Sequence, residues 1–171
     1  DSSLENADGF AAKLEVGTGN YFYGCRAWNN LDDGFDGYLR DNKAKILTTW
    51  EYSWMIRNGY QKNGSKGVGD GNGFKTGGSD DKKMAHYGIY INTISAENTE
   101  DGYDQNSNRG EVTIYNALSY GNNRNYGLSD GSARKLKKLT IKNSISYATN
   151  STDKFGADST SISNNSWNGN S

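Results

Sequence analysis

Residues 114–123 read IYNALSYGNN, an alternation of apolar and polar side chains that ends on a Gly-Asn turn. Four further segments follow the same plan: YFYGCRAWNN at 21–30, WEYSWMIRNG at 50–59, YINTISAENT at 90–99 and KNSISYATNS at 142–151. Aligning Asn30, Asn58, Asn98 and Asn122 gives separations of 28, 40 and 24 residues, and Thr149 takes the same position 27 residues later. The long interval carries its excess between Gly59 and Ala85, a stretch mostly of Gly, Lys, Asp, Ser and Asn that reads as a loop inserted into a regular coil.

Within the units the periodicity is that of strands: Val112, Ile114, then Ala117 and Leu118, or Leu139, Ile141 and Ile145, with polar residues between. Units of about 22 to 28 residues match the coil of a parallel β-helix better than helical repeats of about 33 to 47. The expected architecture is an all-β solenoid, one segment over 1–171 of about six coils, with the inserted loop at about 60–85. Asn has two reasons to recur at equivalent turns: it tolerates left-handed backbone geometry, and its amide can hydrogen-bond to the same amide one coil above. Asn92, Asn116, Asn143 and Asn165 form a second such series, spaced by 24, 27 and 22 residues. The competing reading of these residues is ordinary loop composition.

Composition fits a thin, repeated core. Of 171 residues only 33% are hydrophobic, yet 12% are aromatic, which a disordered chain would lack. Mean hydropathy is −0.92. Gly and Asn each number 22, placed at the bends, and the absence of Pro leaves every strand N–H free to join a ladder. No apolar run approaches the roughly 18 residues of a membrane span, so no membrane partner is expected. A net charge of −1 gives no general attraction to nucleic acid. Cys25 is the one cysteine, which excludes an internal disulfide and leaves no zinc cluster. No polar capping unit is evident at either end, so the chain reads as part of a longer solenoid, and the lack of a signal peptide then says nothing about export.

The strongest chemical signal is acidic. Asp32-Asp33-Gly34-Phe35-Asp36 sets three carboxylates within five residues, and Asp8, 24 residues before Asp32, is expected one strand spacing away, roughly 4.8 Å. Four carboxylates so close repel unless a cation lies between them, and hard oxygen donors on a flexible turn suit calcium. A solvated acidic turn is the alternative; the one-coil spacing favours the cation. The second signal is Gly69-Asp70-Gly71-Asn72-Gly73-Phe74-Lys75-Thr76-Gly77-Gly78. It is neither a Walker A loop nor a dinucleotide fingerprint. It does hold a lysine on a glycine-rich bend, and a nearby cation can make a lysine a base. Position alone does not choose Lys75 over Lys62, Lys66, Lys82 or Lys83.

Asn6-Ala7-Asp8-Gly9-Phe10, Gly24-Cys25-Arg26-Ala27-Trp28-Asn29-Asn30, Asp32-Asp33-Gly34-Phe35-Asp36 and Gly71-Asn72-Gly73-Phe74-Lys75-Thr76-Gly77-Gly78, in that order, resemble the catalytic coils of family 9 polysaccharide lyases over roughly residues 4 to 170. The resemblance implies a right-handed parallel β-helix, a secreted or periplasmic location, a pectin-backbone substrate, Ca2+ held by Asp8, Asp32, Asp33 and Asp36, and Lys75 as the Brønsted base. Asp104-Gln105-Asn106-Ser107-Asn108 also resembles a segment of that family. Phe35 stands where Trp is common in the family and Gly37 where a larger apolar residue is usual, which is expected to reshape the substrate cleft while sparing the charged groups.

The chemistry so implied is β-elimination on a uronate, with a monomer acting on an acidic plant cell-wall polysaccharide. Glycoside hydrolysis by paired carboxylates and a calcium-stapled carbohydrate-binding module remain as alternatives; neither needs Lys75. Homogalacturonan and rhamnogalacturonan are both open as substrates. Asn106 and Arg109 are candidate substrate contacts, Arg109 and Arg124 being alternatively solvated turn residues. Arg134-Lys135-Leu136-Lys137-Lys138 reads as a protected sheet edge. His86 has no evident partner and no assigned role, and Cys25 and the Trp28 coil read as core.

Overall fold

In the computed structural model, which describes residues 6–41 and 44–168, strands from successive coils stack in register into three parallel sheets. The first sheet, which carries the acidic motifs, joins Phe10–Ala11, Phe35–Asp36, Phe74–Lys75, Asp101–Asp104, Arg124–Leu128 and Lys154–Phe155 in sequence order. The second joins Asn20–Tyr23, Ile46–Glu51, His86–Ile91, Glu111–Tyr115, Leu136–Lys142 and Ala157–Ser163. Arg26–Trp28, Trp54–Ile56, Ile94–Ala96, Leu118–Tyr120 and Ile145–Tyr147 make the third. Each strand pairs with its counterpart one coil away, the arrangement of a parallel β-helix. Among the described residues the one helical element is the short turn Ser132–Arg134, and no helix is long and apolar enough to cross a membrane.

Alternation on the second sheet fills the interior: Trp50, Tyr90, Ile114 and Ile141 lie in one register column and all are buried. Trp50 stacks on Phe22 with centroids 4.1 Å apart. On the first sheet a repeated tripeptide sets the register. Asp8-Gly9-Phe10, Asp33-Gly34-Phe35, Asn72-Gly73-Phe74 and Asp101-Gly102-Tyr103 align residue for residue. Their aromatic members form an internal column that continues to Tyr126; Phe74 and Tyr103 are 5.1 Å apart, Tyr103 and Tyr126 5.2 Å. The glycine column lies against the third sheet and the turn that follows it so closely that a Cβ at Gly73 would sit 1.9 Å from Ser95 Oγ. Glycine is therefore required there by space, not by dihedral angle.

That turn is built on the asparagines. Asn30 Nδ2 donates to Asn58 Oδ1 (2.8 Å), Asn58 Nδ2 to Asn98 Oδ1 (2.8 Å) and Asn98 Nδ2 to Asn122 Oδ1 (2.9 Å). The 40-residue interval thus closes on the same ladder as the shorter ones. Thr149 is in register with Asn122, but Asn122 turns its amide to Asn125 Oδ1 (2.9 Å) and the ladder ends there. The amide ladder runs through the first series, while in the second one such bond, from Asn116 Nδ2 to Asn92 Oδ1 (3.2 Å), stands beside left-handed geometry. Left-handed geometry belongs to the residue before each ladder position, Asn29, Arg57, Glu97, Gly121 and Ala148, with φ between 53° and 65°. In the second series it belongs to the asparagines themselves: Asn92, Asn116 and Asn143 have φ of 53°, 54° and 56°. The fourth member of that series is Asn164 (φ 58°), not Asn165. Pairing of Lys142 with Ser163 sets the shift, and buried Asn165 instead accepts from Ser144 N (2.9 Å).

Candidate functional site

The aromatic column fixes which carboxylates meet. A slip of one residue would turn Phe10 and Phe35 to solvent, so the pairing is Phe10 with Phe35 and therefore Asp8 with Asp33, not Asp32. Gly9 N donates to Asp33 O (2.9 Å), and Asp33 N donates to Asp8 Oδ1 (3.3 Å). Asp36 occupies the strand position after Phe35, and Lys75 lies beside it one strand on. Asp8, Asp33 and Asp36 each bring a carboxylate oxygen within 4.8 Å of the others, and Asp32, Asp33 and Asp70 form a second such group. All four aspartates expected to bind a cation are thus gathered, with Asp33 common to both groups and Asp70 added to them.

Main-chain donors orient the set. Asp32 accepts from Asn6 N and Asp70 N (both 2.7 Å), Asp33 Oδ1 from Asn72 N (2.7 Å) and Nδ2 (3.0 Å), and Asp36 Oδ1 from Tyr38 N (2.9 Å). Lys75 Nζ reaches Asp70 Oδ2 at 2.8 Å and Asp33 Oδ2 at 3.2 Å. A second ammonium was not foreseen: Lys13 Nζ donates to Asp8 Oδ2 (2.7 Å), Asp36 Oδ2 (2.9 Å) and Asn6 Oδ1 (2.9 Å). Its place two residues beyond the end of a first-sheet strand was the available signal; its reach back to Asp8 was not legible.

Burial alone lowers the pKa of the Lys75 ammonium, but Asp33, Asp36 and Asp70 outweigh it and hold the group above its ordinary range. Burial pushes the Asp33 carboxyl well above the usual carboxylate range, against the pull of Lys75 and with the push of Asp32 and Asp36. Asp8 is raised by burial too, opposed by its bond from Lys13.

Asn6, Lys13, Asp32, Asp36, Asp70 and Lys75 open on a cleft of about 470 Å³ lined also by Leu14, Tyr38, Arg40 and Asn106. Asn106 therefore joins the candidate site, its amide donating to Gly77 O (3.2 Å). Arg109 does not: it lines a separate depression with Lys83, Lys135 and Lys137. Arg124 is no free turn residue, since it pairs with buried Asp101 at 2.7 Å. His86 has partners, Thr48 Oγ1 at 2.8 Å and Gly37 O at 2.7 Å. In the coil of Trp28, Ala27 is core and Cys25 packs against it, but Trp28 itself is 62% exposed.

Residues 1–165 match the family model described as "Pel9A-like, right handed beta helix region". The chain belongs to that Pel9A-like family. Curated relatives include "Pectate lyase L" of Dickeya dadantii (strain 3937), 41% identical over 83% of this chain and 32% of its own length, and "Pectate lyase L" of Dickeya chrysanthemi, 38% identical over 94% and 35%. Among solved structures, "Crystal structure of pectate lyase Pel9A" superposes with a TM-score of 0.73 at 36% identity, covering 94% of this chain and 37% of that one. "Rhamnogalacturonan lyase" gives 0.74 at 25% identity, covering 97% and 44%. The chain spans about a third of the length of the curated relatives it matches. The helix is right-handed, as in the family it belongs to.

Phe35 and Gly37, the two positions expected to depart from the family pattern, are internal. Phe35 is fully buried against Phe22 and Trp50, and a Cβ on Gly37 would point at His86 Nδ1, 3.0 Å away. Neither residue lines the cleft, where both were expected to act. The donor set suits a hard divalent cation. It is all oxygen, it is anionic, and the buried Asp33 Oδ2 accepts no hydrogen bond, meeting only the Lys75 ammonium.

Proposed function

We propose that this chain carries the active site of a calcium-dependent polysaccharide lyase that cleaves galacturonate-containing pectin backbone by β-elimination. The observation that carries this reading is Lys75 beside a gathered set of aspartates, Asp8, Asp32, Asp33 and Asp36, of which Asp32 and Asp36 line the cleft with it, an arrangement that a hydrolase or a binding module does not require. Asp8, Asp33 and Asp36 would hold the cation, with Asp32 beside them; when bound it would supply charge neutralisation at the uronate carboxylate and stabilisation of the charge developing next to it.

The chain's own groups do the rest. Phe74 is anchored in the core, so Lys75 next to it is held rigidly toward the cleft. Asp33 and Asp70 orient its amine, and the charge of the same carboxylates sets how readily it gives up a proton. Neutralising part of that negative field brings Lys75 toward the neutral form that takes the C5 proton. The C5–H electron pair becomes the C4–C5 double bond, the C4–O glycosidic bond breaks, and the leaving oxygen is protonated from solvent. Asn106, on the cleft wall, would hydrogen-bond a sugar hydroxyl. The enzyme would work outside the cytoplasm, as a monomer, where such polymers are found.

The test is to incubate the protein with polygalacturonate and with rhamnogalacturonan, with Ca2+ and with chelator, following the ultraviolet absorbance of the unsaturated product. Absorbance should rise on at least one polymer, only with Ca2+, and fall on the order of 10²- to 10⁴-fold in Lys75→Ala, the range of general-base catalysis. Cleavage that persists in chelator or in Lys75→Ala, without an absorbance change, would establish hydrolysis instead.

A further inference from the structure

The two carboxylate groups are each already engaged by a lysine, but in different ways. Lys75 sits between Asp33 and Asp70, at the edge shared by both groups. Lys13 sits on Asp8 and Asp36, two of the three carboxylates of the first group, and completes a tripod with Asn6 Oδ1. An ammonium has three donors, and all three are spent on oxygens at 2.7 to 2.9 Å. Lys13 and a divalent ion thus call on the same carboxylates, and both cannot have them. The Lys13 side chain is only 15% exposed, and those of Asp8 and Asp36 5% and 6%, so the contact is shielded from bulk water.

We propose that Lys13 is an internal counter-cation of the Asp8–Asp33–Asp36 group: it holds the carboxylates together when no divalent ion is bound and is displaced when one binds. Nothing in the proposed reaction assigns Lys13 a part, and the proposal rests on the reading of this group as the cation site. The physical logic is that carboxylates brought this close by the sheet register repel, and some positive charge must offset them. Lys13 arrives from the end of the neighbouring strand on a flexible stem, so it can supply that charge and also leave. Lys75, short of such freedom between Phe74 and the buried Thr76, stays. Ion affinity is then set by a competition inside the protein, not by the carboxylates alone.

The experiment is calorimetric titration with CaCl2, together with thermal unfolding in chelator and in saturating Ca2+, on the wild type, Lys13→Met and Lys75→Met. Removing the competitor should tighten Ca2+ binding at least about tenfold in Lys13→Met, the size of effect a charge at these distances exerts. The same variant should melt lower than wild type in chelator and level with it in Ca2+. Lys75→Met, the control for loss of one positive charge nearby, should change affinity less. If Lys13→Met does not fold in chelator, Lys13→Gln, which keeps a donor to Asp8, serves in its place. Equal tightening in both lysine variants, or unchanged or weaker binding in Lys13→Met, overturns the proposal. Failure of the wild type to bind Ca2+ overturns instead the reading of the site on which it rests.

Discussion

At His86, the chain's one histidine, both ring nitrogens are committed. The Gly37 carbonyl can only accept, so Nδ1 carries the proton, and Nε2 accepts from the Thr48 hydroxyl. Protonating Nε2 would place a charge inside the core, and burial accordingly lowers the His86 pKa. With the folded value below the unfolded one, the neutral ring's contribution is full above about pH 6.5 and is lost as pH falls through the folded pKa. The melting temperature should therefore drop as pH falls below about 6.5, and His86→Gln should flatten that part of the profile; an unchanged slope refutes the assignment. Other residues show where reading the sequence stops. Asp8, Asp32, Asp33 and Asp36 were visible because they cluster at coil spacing, whereas Lys75 stood out from its neighbouring lysines only through the family resemblance. The pairing of Asp8 with Asp33 was not, since a coil of 24 or 25 residues is equally possible until the aromatic column chooses. Lys13 was invisible because its role depends on the reach of a side chain across the sheet.

At the scale of a turn, the asparagine ladder was legible, since a side chain that bonds to its own copy must recur at coil spacing. What spacing could not separate was the ladder position from the left-handed position beside it. The two should respond differently to substitution. Asn98 Nδ2 serves Asn122 Oδ1, Met55 O and Ser95 Oγ, while its Oδ1 receives Asn58 N and Nδ2. Asn98→Ala leaves several of these buried groups unpaired at about 1–3 kcal/mol each, so urea unfolding should show a loss of at least about 3 kcal/mol. Asn116 is exposed with φ 54°, and Asn116→Gly should stay within about 0.5 kcal/mol of wild type. Gly73→Ala probes the packing under the ladder: its Cβ would overlap Ser95 Oγ at 1.9 Å, and a destabilisation of about 1–3 kcal/mol is expected.

For the whole molecule, the solenoid has contacts almost wholly between neighbouring coils, so stability is a sum of coils and their interfaces. The candidate cation site draws Asp8 from one coil and Asp33 and Asp36 from the next, and an ion there joins the two. Ca2+ at about a hundred times its dissociation constant should then add about 2.7 kcal/mol to unfolding, read as a higher melting temperature that chelator reverses. An Asp8→Asn, Asp36→Asn double variant should lose that increment while keeping the far-ultraviolet circular dichroism of the fold. Retention of the full increment would place the ion elsewhere.

The distance between those carboxylates is not chosen by the carboxylates. It follows from peptide hydrogen bonds, Gly9 N to Asp33 O at 2.9 Å and Phe10 N to Gly34 O at 3.0 Å, which repeat along the entire stack. The backbone acts as a caliper whose jaws are set by strand spacing, and the side chains merely tip the jaws. Calcium tolerates oxygens at about 2.3–2.6 Å in loose geometry, whereas magnesium demands about 2.0–2.1 Å in a strict octahedron. Exchanging one ligand for another should thus weaken every ion alike and leave their ranking intact: the choice of metal is inherited from the fold.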